Sequence, residues 1–372
     1  MAPTVLGALR QFLPDFLKAA PPLSSEQRRA LWAITHCRTP ALGGRVFACC
    51  DQVRFAWHSC NHKACPQCGS AATRVWVQRE LAKLVHAPYF LVTFTLPAEL
   101  RGCFFGPHAK EAYDLFFTAV SRALSEKLAT DKGLRATVNG FTAVLHTWNQ
   151  QLGFHPHIHC LVPGAGLNDR GRFVCVRRPD RLVHLAHLRC AFRQHLRDLL
   201  QAHGWQVDPK VWRTNWGVHI KAAGNGTSAL KYLGAYVART AINDARIQEV
   251  TTQSVTFRWK DRAAGGRRQA STVPGVEFVQ RYLRHVLPQG LRAIRYYGYC
   301  HPAAKANRLR VQLHSGRCLQ FGATIAVTPP PASVPQCPCC HQPMRLVCTF
   351  LSPYRRRGPP KTSVPPSISL SA

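Results

Sequence analysis

The chain has 372 residues, and its 49 Lys and Arg residues against 17 Asp and Glu residues give a formal net charge of +32. A hydrophobic fraction of 46% excludes wholesale disorder, and the length favours two or three folding units over a single core. A surface this positive repels itself unless a polyanion covers it. Nucleic acid is therefore the leading partner class, and an acidic membrane is the second.

The sequence predicts a cytosolic protein. No stretch reaches the roughly 20 apolar residues that a membrane span needs, and Arg10 and Asp15 interrupt the region that is apolar in a signal peptide. Sixteen cysteines in a reducing compartment are not expected to form disulfides. Nine of them fall in the windows 49–68 and 337–348, and such clustering indicates zinc.

The periodicity of apolar residues predicts secondary structure along most of the chain. In chain order, helices are predicted at 1–36, 71–86, 108–130, 181–203, 227–241 and 275–286, and strands at 89–96, 141–148, 155–162, 217–223 and a last one at 251–260. The stretch 37–69 has no periodicity and is rich in Cys, His and Gly, which is typical of a metal-held module. After Pro329 the composition predicts a mobile tail around a small cysteine knuckle.

Antiparallel hairpins with helices between them favour an α+β fold, in which helices pack on a central antiparallel sheet. The strands at 141–148 and 155–162 are joined by a polar turn and predict one such hairpin. The predicted domains are an N-terminal helical and zinc-binding module at 1–78, a central domain at 79–262, a basic segment at 263–330, and a cysteine knuckle with a basic tail at 331–372.

Three histidines mark the second strand of that hairpin. His155, His157 and His159 alternate, so their imidazoles leave one face of the sheet. Neutral imidazoles on one face can hold a divalent metal with open positions for a substrate oxygen. Imidazole chemistry alone favours Zn, Cu, Ni or Fe over Mg. A wet basic face is the alternative, but strict alternation inside an apolar strand favours the metal.

Two tyrosines lie four residues apart on a predicted helix. Tyr232 and Tyr236 therefore share one face, about 5–6 Å apart, and Lys231 and Arg239 beside them attract phosphate. A tyrosine that attacks phosphorus keeps the energy of the broken linkage in a phosphotyrosine, so the cut can be resealed without ATP. Such a pair more often packs in a core. The catalytic interpretation depends on its coexistence with the histidine strand and the charge.

Eight segments together resemble the HUH superfamily of single-strand DNA nucleases, and most closely the two-tyrosine rolling-circle transposases of the insertion-sequence ninety-one type. The segments are CRTPALGG (37–44), SCNHKACPQC (59–68), FTLPAELR (94–101), HPHIHCLVPGAG (155–166), YLGAYVARTAINDARI (232–247), FRWKD (257–261), PGVEFVQRYLRHVLPQG (274–290) and IRYYG (294–298). Their order and spacing fit nearly the whole chain.

The resemblance implies a reaction and its partners. His157 and His159 are expected to bind Mg or Mn, contrary to what imidazole chemistry alone suggests. Tyr232 and Tyr236 are expected to take the 5′-phosphates of nicked single strands at transposon ends, one holding a cut end while the other attacks the next junction. The expected partner is single-stranded DNA in the bacterial cytoplasm, near the nucleoid, with no membrane and no small-molecule cofactor.

The resemblance also implies a third polar metal ligand, for which Gln150 and Asp244 are the candidates. The family's tyrosine motif is expected to have Asn where this chain has Asp244. His155 is expected to orient the strand or contact DNA rather than to bind metal. Basic residues beside aromatic ones suit single-stranded DNA, whose bases stack while its phosphates are neutralised. The predicted DNA-binding residues are His155, Lys231, Arg239, Arg246, Arg258 and Lys260.

The first cysteine window predicts a structural zinc site. Cys60, Cys65 and Cys68 have the C-x4-C-x2-C spacing, which ends in the CPQC form of a zinc knuckle. A closed site needs a fourth ligand. The family pattern has a C-x2-C pair upstream, where this chain has adjacent cysteines at 49 and 50. The predicted ligands are Cys50, Cys60, Cys65 and Cys68, with Cys37, His58 and His62 as alternatives for the first of them.

The second cysteine window contains Cys337, Cys339, Cys340 and Cys348, and it has only one C-x2-C pair, Cys337 and Cys340. The sequence leaves open whether this window binds a zinc ion. Two rival functions also stay open. The same HUH chemistry serves replication initiators and relaxases. A catalytically inactive DNA-binding relative is the other possibility, and the altered first cysteine pair keeps it open.

Overall fold

The computed structural model describes residues 3–19, 22–68, 70–237, 241–261, 264–316 and 334–352. Within these ranges the α-helices are α1 (Val5–Ala19), α2 (Ser25–Thr35), α3 (Ser70–Leu81), α4 (Ala109–Thr130), α5 (Leu185–Ala202), α6 (Thr227–Val237), α7 (Gly275–Leu283) and α8 (Lys305–His314). Among these described helices, none combines the length and the apolar content that crossing a membrane requires.

The strands of the same ranges are β1 (Gly43–Cys49), β2 (Gln52–Trp57), β3 (Tyr89–Thr95), β4 (Gly140–Trp148), β5 (Phe154–Pro163), β6 (Ala165–Leu167), β7 (Phe173–Cys175), β8 (Gly217–Ala222), β9 (Ile247–Val250), β10 (Ser254–Asp261), β11 (Arg267–Pro274), β12 (Ile294–Gly298) and β13 (Arg345–Leu351). Strands β11, β12 and β13 follow residues 251–260, so the expectation that a strand there is the last one is wrong.

A five-stranded antiparallel sheet in the order β12-β4-β5-β3-β8 lies at the centre of the molecule. Side chains alternate between its two faces, as the period of a strand requires. Leu145 of β4 and Ile158 of β5 join one core, whereas His146 and His159 of the same strands face the other way, into a cleft. The predicted hairpin and the one-sided placement of the histidines are both present.

Helices α4 and α5 cover the face opposite the cleft. Phe116 of α4 and Phe192 of α5 are fully buried, and the Phe192 ring meets the Phe94 ring of β3 edge to face, with centroids 5.1 Å apart. Helices α3 and α6 lie on the cleft side, where Leu230 and Leu233 of α6 are buried. The central domain is therefore an antiparallel sheet with helices packed on it, and the predicted α+β class is confirmed.

A second core joins the N-terminal helices α1 and α2 to the segment 241–283. Helix α1 packs on α7, and both contribute to a cluster with the hairpin β10–β11. The ring of Phe12 in α1 fills the position that a side chain on Gly275 would occupy, since an added Cβ there would lie 2.1 Å from it. Glycine at the first position of α7 is therefore what lets the two helices approach.

A three-stranded outer sheet, in the order β13-β1-β2, contains strands from both cysteine windows. Strand β13 runs antiparallel to β1, and Gly43 is paired with Leu351. The predicted mobile tail is thus wrong for residues 345–351, which are a strand of this sheet. The three boundaries between the four predicted domains stay predictions, although the outer sheet joins residues below 78 to residues above 331, and β12 of the segment 263–330 is an edge strand of the central sheet.

Candidate functional site

Three imidazoles converge in the cleft on the central sheet. His146 projects from β4, and His157 and His159 project from β5, where His157 is paired directly with His146 in the strand register. One ring nitrogen of each histidine lies within 4.8 Å of one ring nitrogen of each of the other two. The ring centroids of His146 and His159 are 4.6 Å apart, and those of His157 and His159 are 4.9 Å apart.

Hydrogen bonds orient two of these rings. Nδ1 of His157 donates to the carbonyl oxygen of His155 at 2.7 Å, and Nδ1 of His159 lies 2.8 Å from Oγ1 of Thr93 on β3. Metal-binding histidines generally use the second ring nitrogen in this way, which leaves Nε2 for the metal. The hydrogen bonds of the two rings therefore fit a metal centre.

Burial favours the neutral imidazole that a metal requires. His146 is fully enclosed, and burial lowers its pKa well below the usual value, with a further contribution from His159 and His157. Only neutral imidazole is a ligand, because a protonated ring nitrogen has no lone pair to donate. Three imidazoles that leave one side open to the cleft fit a divalent ion with free positions for substrate oxygens.

The third histidine of the group is therefore His146, and the predicted candidate Asp244 does not belong to the group. Asp244 lies after α6, in a short 3₁₀ turn, and its Oδ1 accepts a hydrogen bond from the backbone N–H of Val5 at 2.8 Å. Gln150 lines the cleft but lies in the β4–β5 loop, where its carbonyl oxygen accepts from Arg246. Sequence reasoning missed His146 because a single histidine in the apolar strand 141–148 shows no periodicity of its own.

Tyr232 lies on the wall of the same cleft. It projects from α6, is half-buried, and its ring centroid is 6.3 Å from that of His159. Tyr236 is in α6 as predicted, one helical turn further on, but its side chain lies outside the described residues. The cleft has a volume of about 1090 Å³ and is open to solvent, so it can admit a chain of nucleotides.

The predicted DNA-binding residues occupy different environments. His155 lines the cleft, and its Nδ1 lies 3.0 Å from Nη2 of Arg101, whose charge adds to burial in lowering the pKa of His155. Lys231 is exposed on α6. Arg239 lies outside the described residues.

Arg246 is held in the protein rather than presented to solvent. Its Nε donates to the carbonyl oxygen of Arg258 at 2.8 Å, and its guanidinium lies over the ring of Phe257 at 5.7 Å. Arg258 and Lys260 are exposed on β10, although Nη2 of Arg258 donates to the carbonyl oxygen of Ala245 at 3.0 Å. Lys260 is the residue of the three whose side chain has no described hydrogen bond, and it is exposed.

A separate group of four thiols lies in the N-terminal module. Its members are Cys37, Cys60, Cys65 and Cys68, whose sulfurs all lie within 4.8 Å of one another. The Sγ atoms of Cys37 and Cys60 are each 3.6 Å from that of Cys68. Four sulfurs at about 2.3 Å from a tetrahedral zinc ion are separated by about 3.8 Å, so the group fits zinc. Hydrogen bonds from Cys60 and Cys65 lower the pKa of Cys68 to about 2, which favours the thiolate.

Cys50 does not belong to this group, so its assignment as the fourth ligand is wrong and the alternative Cys37 takes that place. Cys37 lies two residues after the end of α2 and is buried, as is Cys65. Cys50 lies at the tip of the β1–β2 hairpin, where it meets Cys49, Cys337 and Cys340 instead. His58 and His62 are not members of either thiol group among the described residues.

The fold and the two kinds of site define a protein with a thiol group that fits zinc and, on an antiparallel sheet, a group of three histidines that fits a divalent metal. Residues 140–308 match the family model described as "Putative transposase", and residues 8–96 match the one described as "Transposase zinc-binding domain". The chain is 34% identical to the "Putative transposase y4qJ" of Sinorhizobium fredii, over 96% of this chain and 98% of that one.

The chain belongs to the transposases of the insertion-sequence ninety-one type, and the predicted resemblance is confirmed. It is also 27% identical to the transposase for insertion sequence element IS801 of Pseudomonas savastanoi, over 71% of this chain and 67% of that one. Among solved structures, it is similar to the metal-free conjugative relaxase TrwC in complex with OriT DNA. That likeness has 12% identity, covers 60% of this chain and 71% of that chain, and has a TM-score of 0.26.

Proposed function

We propose that this transposase nicks and rejoins single-stranded DNA at transposon ends by metal-assisted transesterification, with Tyr232 and Tyr236 as nucleophiles and 5′-phosphotyrosine intermediates. This is the chemistry of rolling-circle transposition. The observation that carries the proposal is the placement of Tyr232 and the three histidines on the walls of one open cleft.

The chemical step needs no external energy source. Oη of Tyr232 forms a bond to the scissile phosphorus while the bond from phosphorus to the 3′ oxygen breaks. The phenol loses its proton, and the departing oxygen gains one and becomes a 3′ hydroxyl. A bound Mg or Mn ion supplies polarisation of the scissile phosphate. His157 and His159, with His146 as the third ligand, are the residues proposed to hold that ion.

The second tyrosine serves a second cleavage. While one tyrosine holds a 5′-phosphate, the other is available to attack the next junction, and a free 3′ hydroxyl reverses the first reaction at the target. Because the bond energy is conserved in each exchange, cutting and joining are the same reaction run in two directions. Tyr236 is proposed for this role on the spacing of the two residues along α6.

Positive charge around the cleft supports a nucleic-acid substrate. Lys221 of β8 lines the cleft and is exposed, and Lys231 is exposed on the tyrosine helix. Both suit the phosphates of a strand that enters the cleft, and His155 suits the position next to the metal. Together with the net charge of +32, they support single-stranded DNA as the partner and the cytoplasm, near the nucleoid, as the location.

The test is a covalent-adduct assay. Labelled single-stranded oligonucleotides from the two ends of the element are incubated with the protein, with Mn or Mg or with EDTA, and separated on denaturing gels. We expect a metal-dependent, protease-sensitive adduct, which Tyr236→Phe removes or reduces to the Tyr232 adduct and which the double variant Tyr232→Phe/Tyr236→Phe loses completely. Tyr297→Phe is the matched control, because that ring stacks on Phe141 and does not line the cleft.

Adducts that survive in the double variant would contradict the nucleophile assignment. Salt-sensitive DNA binding with no cleavage in the unchanged protein would instead indicate an inactive DNA-binding relative. His157→Ala/His159→Ala separates the two roles of the cleft. We expect it to abolish cleavage while DNA binding remains, since the phosphate contacts come from lysine and arginine side chains.

A further inference from the structure

A second group of four thiols joins the two cysteine windows, which are nearly 300 residues apart in the sequence. Cys49 and Cys50 meet Cys337 and Cys340, and all four sulfurs lie within 4.8 Å of one another. The Sγ of Cys49 is 3.7 Å from that of Cys50 and 3.5 Å from that of Cys340. These separations are close to the roughly 3.8 Å expected for four thiolates around a tetrahedral zinc ion.

The backbone places each pair. Cys50 and Asp51 form the two-residue turn between β1 and β2, and both have positive φ, at 47° and 57°. A non-glycine residue rarely adopts that conformation without a compensating interaction. On the other side, the N–H of His341 donates to the carbonyl oxygen of Cys337 at 2.9 Å, which closes the loop that carries Cys337 and Cys340.

Apolar burial is too small to hold the outer sheet by itself. Its buried cluster consists of Phe47, Cys337 and Met344, with Cys49 packed against it. On β13 the side chains of Val347 and Leu351 are 53% and 66% exposed. A module with so small a core generally needs a disulfide or a metal to stay folded. Four converging thiols supply the ligands for a metal.

We propose that Cys49, Cys50, Cys337 and Cys340 bind a second structural zinc ion, which fastens the C-terminal strand β13 to the N-terminal hairpin β1–β2. The site is composite: neither window contributes more than two ligands, so neither forms it alone. Zinc at this place is independent of the chemistry in the histidine cleft. Its presence is therefore tested without measuring any reaction on DNA.

The experiment measures zinc bound to the full-length protein, purified under reducing conditions and in the absence of added metal. Elemental analysis is expected to give two zinc ions per chain, one for each thiol group. The variant Cys50→Ser/Cys340→Ser is expected to halve that content. The matched control is Cys339→Ser/Cys348→Ser, which removes two exposed thiols from the same segment but none from the group. It is expected to keep both ions.

Hydrogen exchange of the β13 amides gives a second readout in the same variants. We expect faster exchange in Cys50→Ser/Cys340→Ser, and exchange like that of the unchanged protein in the control. One zinc per chain in the unchanged protein would overturn the proposal, as would two ions in the Cys50→Ser/Cys340→Ser variant. Intact-protein mass spectrometry that finds a disulfide among these four cysteines would overturn it as well.

Discussion

The central sheet and the outer sheet are both antiparallel, but different forces hold them. The central sheet buries large aromatic side chains completely, among them Phe94, Phe116 and Phe192. The outer sheet has a cluster of only three buried residues among those described, and several of its apolar side chains face solvent. The central sheet is therefore stabilised by burial of apolar surface. The outer sheet has little such burial, and the proposed zinc ion on its thiols would supply the missing stabilisation.

The largest effect is expected from a cavity in the central core. Phe192→Ala removes a fully buried ring that contacts Phe94 and Trp216, and we expect it to lower the free energy of unfolding by about 3–5 kcal/mol. Phe55→Ala on β2 is the control, because that ring is 55% exposed. Denaturant unfolding and hydrogen exchange of the β3–β5 amides measure the loss of stability in each variant. Equal losses would show that burial does not distinguish the two sheets.

A smaller, pH-dependent effect is expected at the contact between the central hairpin and α7. Burial lowers the pKa of His285 from about 6.5 to about 4. Its Nε2 donates to the carbonyl oxygen of Leu152 at 3.2 Å, and Thr147 lies at Nδ1. Between these two pKa values the unfolded chain binds a proton that the folded protein does not. His285 therefore lowers the free energy of unfolding as the pH falls from 6.5 to 4.

The size of this effect is on the order of 3 kcal/mol, because one pKa unit corresponds to about 1.4 kcal/mol. Unfolding free energies at pH 7 and at pH 4.5 measure it, with His285→Gln as the comparison. We expect the free energy of unfolding of the unchanged protein to fall, relative to that of His285→Gln, as the pH is lowered from 7 to 4.5. A difference that is the same at both values would rule out titration of His285 as the cause.

The smallest effect is expected from a helix cap in the zinc module. The Ser24 hydroxyl accepts a hydrogen bond from the N–H of Gln27, whose side chain accepts one from the N–H of Ser24 in return. Ser24→Ala should lower the free energy of unfolding of α2 by about 1 kcal/mol. Exchange rates of α2 amides measure it. His108→Ala before α4 provides the contrast, since His108 makes no side-chain cap bond, and a similar loss there would contradict the capping argument.

Local patterns predicted most of the elements that carry the site. The alternation of His155, His157 and His159 predicted both the strand and the shared face, and the apolar spacing around Tyr232 predicted α6. These predictions succeeded because each depends on residues within one element. The class of the central domain followed from the same local information, since the elements and the polar turn between β4 and β5 leave few arrangements open.

The misses all concern contacts between distant segments. Cys37 replaces Cys50 in the first thiol group because the end of α2 folds back onto the knuckle, which spacing alone does not reveal. His146 joins the metal group through the register of a neighbouring strand. Strand β13 was not predicted because the segment around it is rich in Pro, Ser and Arg. Its partner β1 is about 300 residues away in the sequence. Composition describes a segment, but it does not state what that segment pairs with.

The contact between α3 and α6 gives the zinc module a mechanical role. An added Cβ on Gly234, two residues after Tyr232, would lie 2.2 Å from Cγ2 of Val77, so the two helices touch with no space to spare. Helix α3 leaves the zinc module, and Nε1 of Trp76 ties it to Oη of Tyr296 at the edge of the central sheet. Helix α3 thus supports the tyrosine helix: the zinc module packs, through α3, against the helix from which Tyr232 faces the cleft.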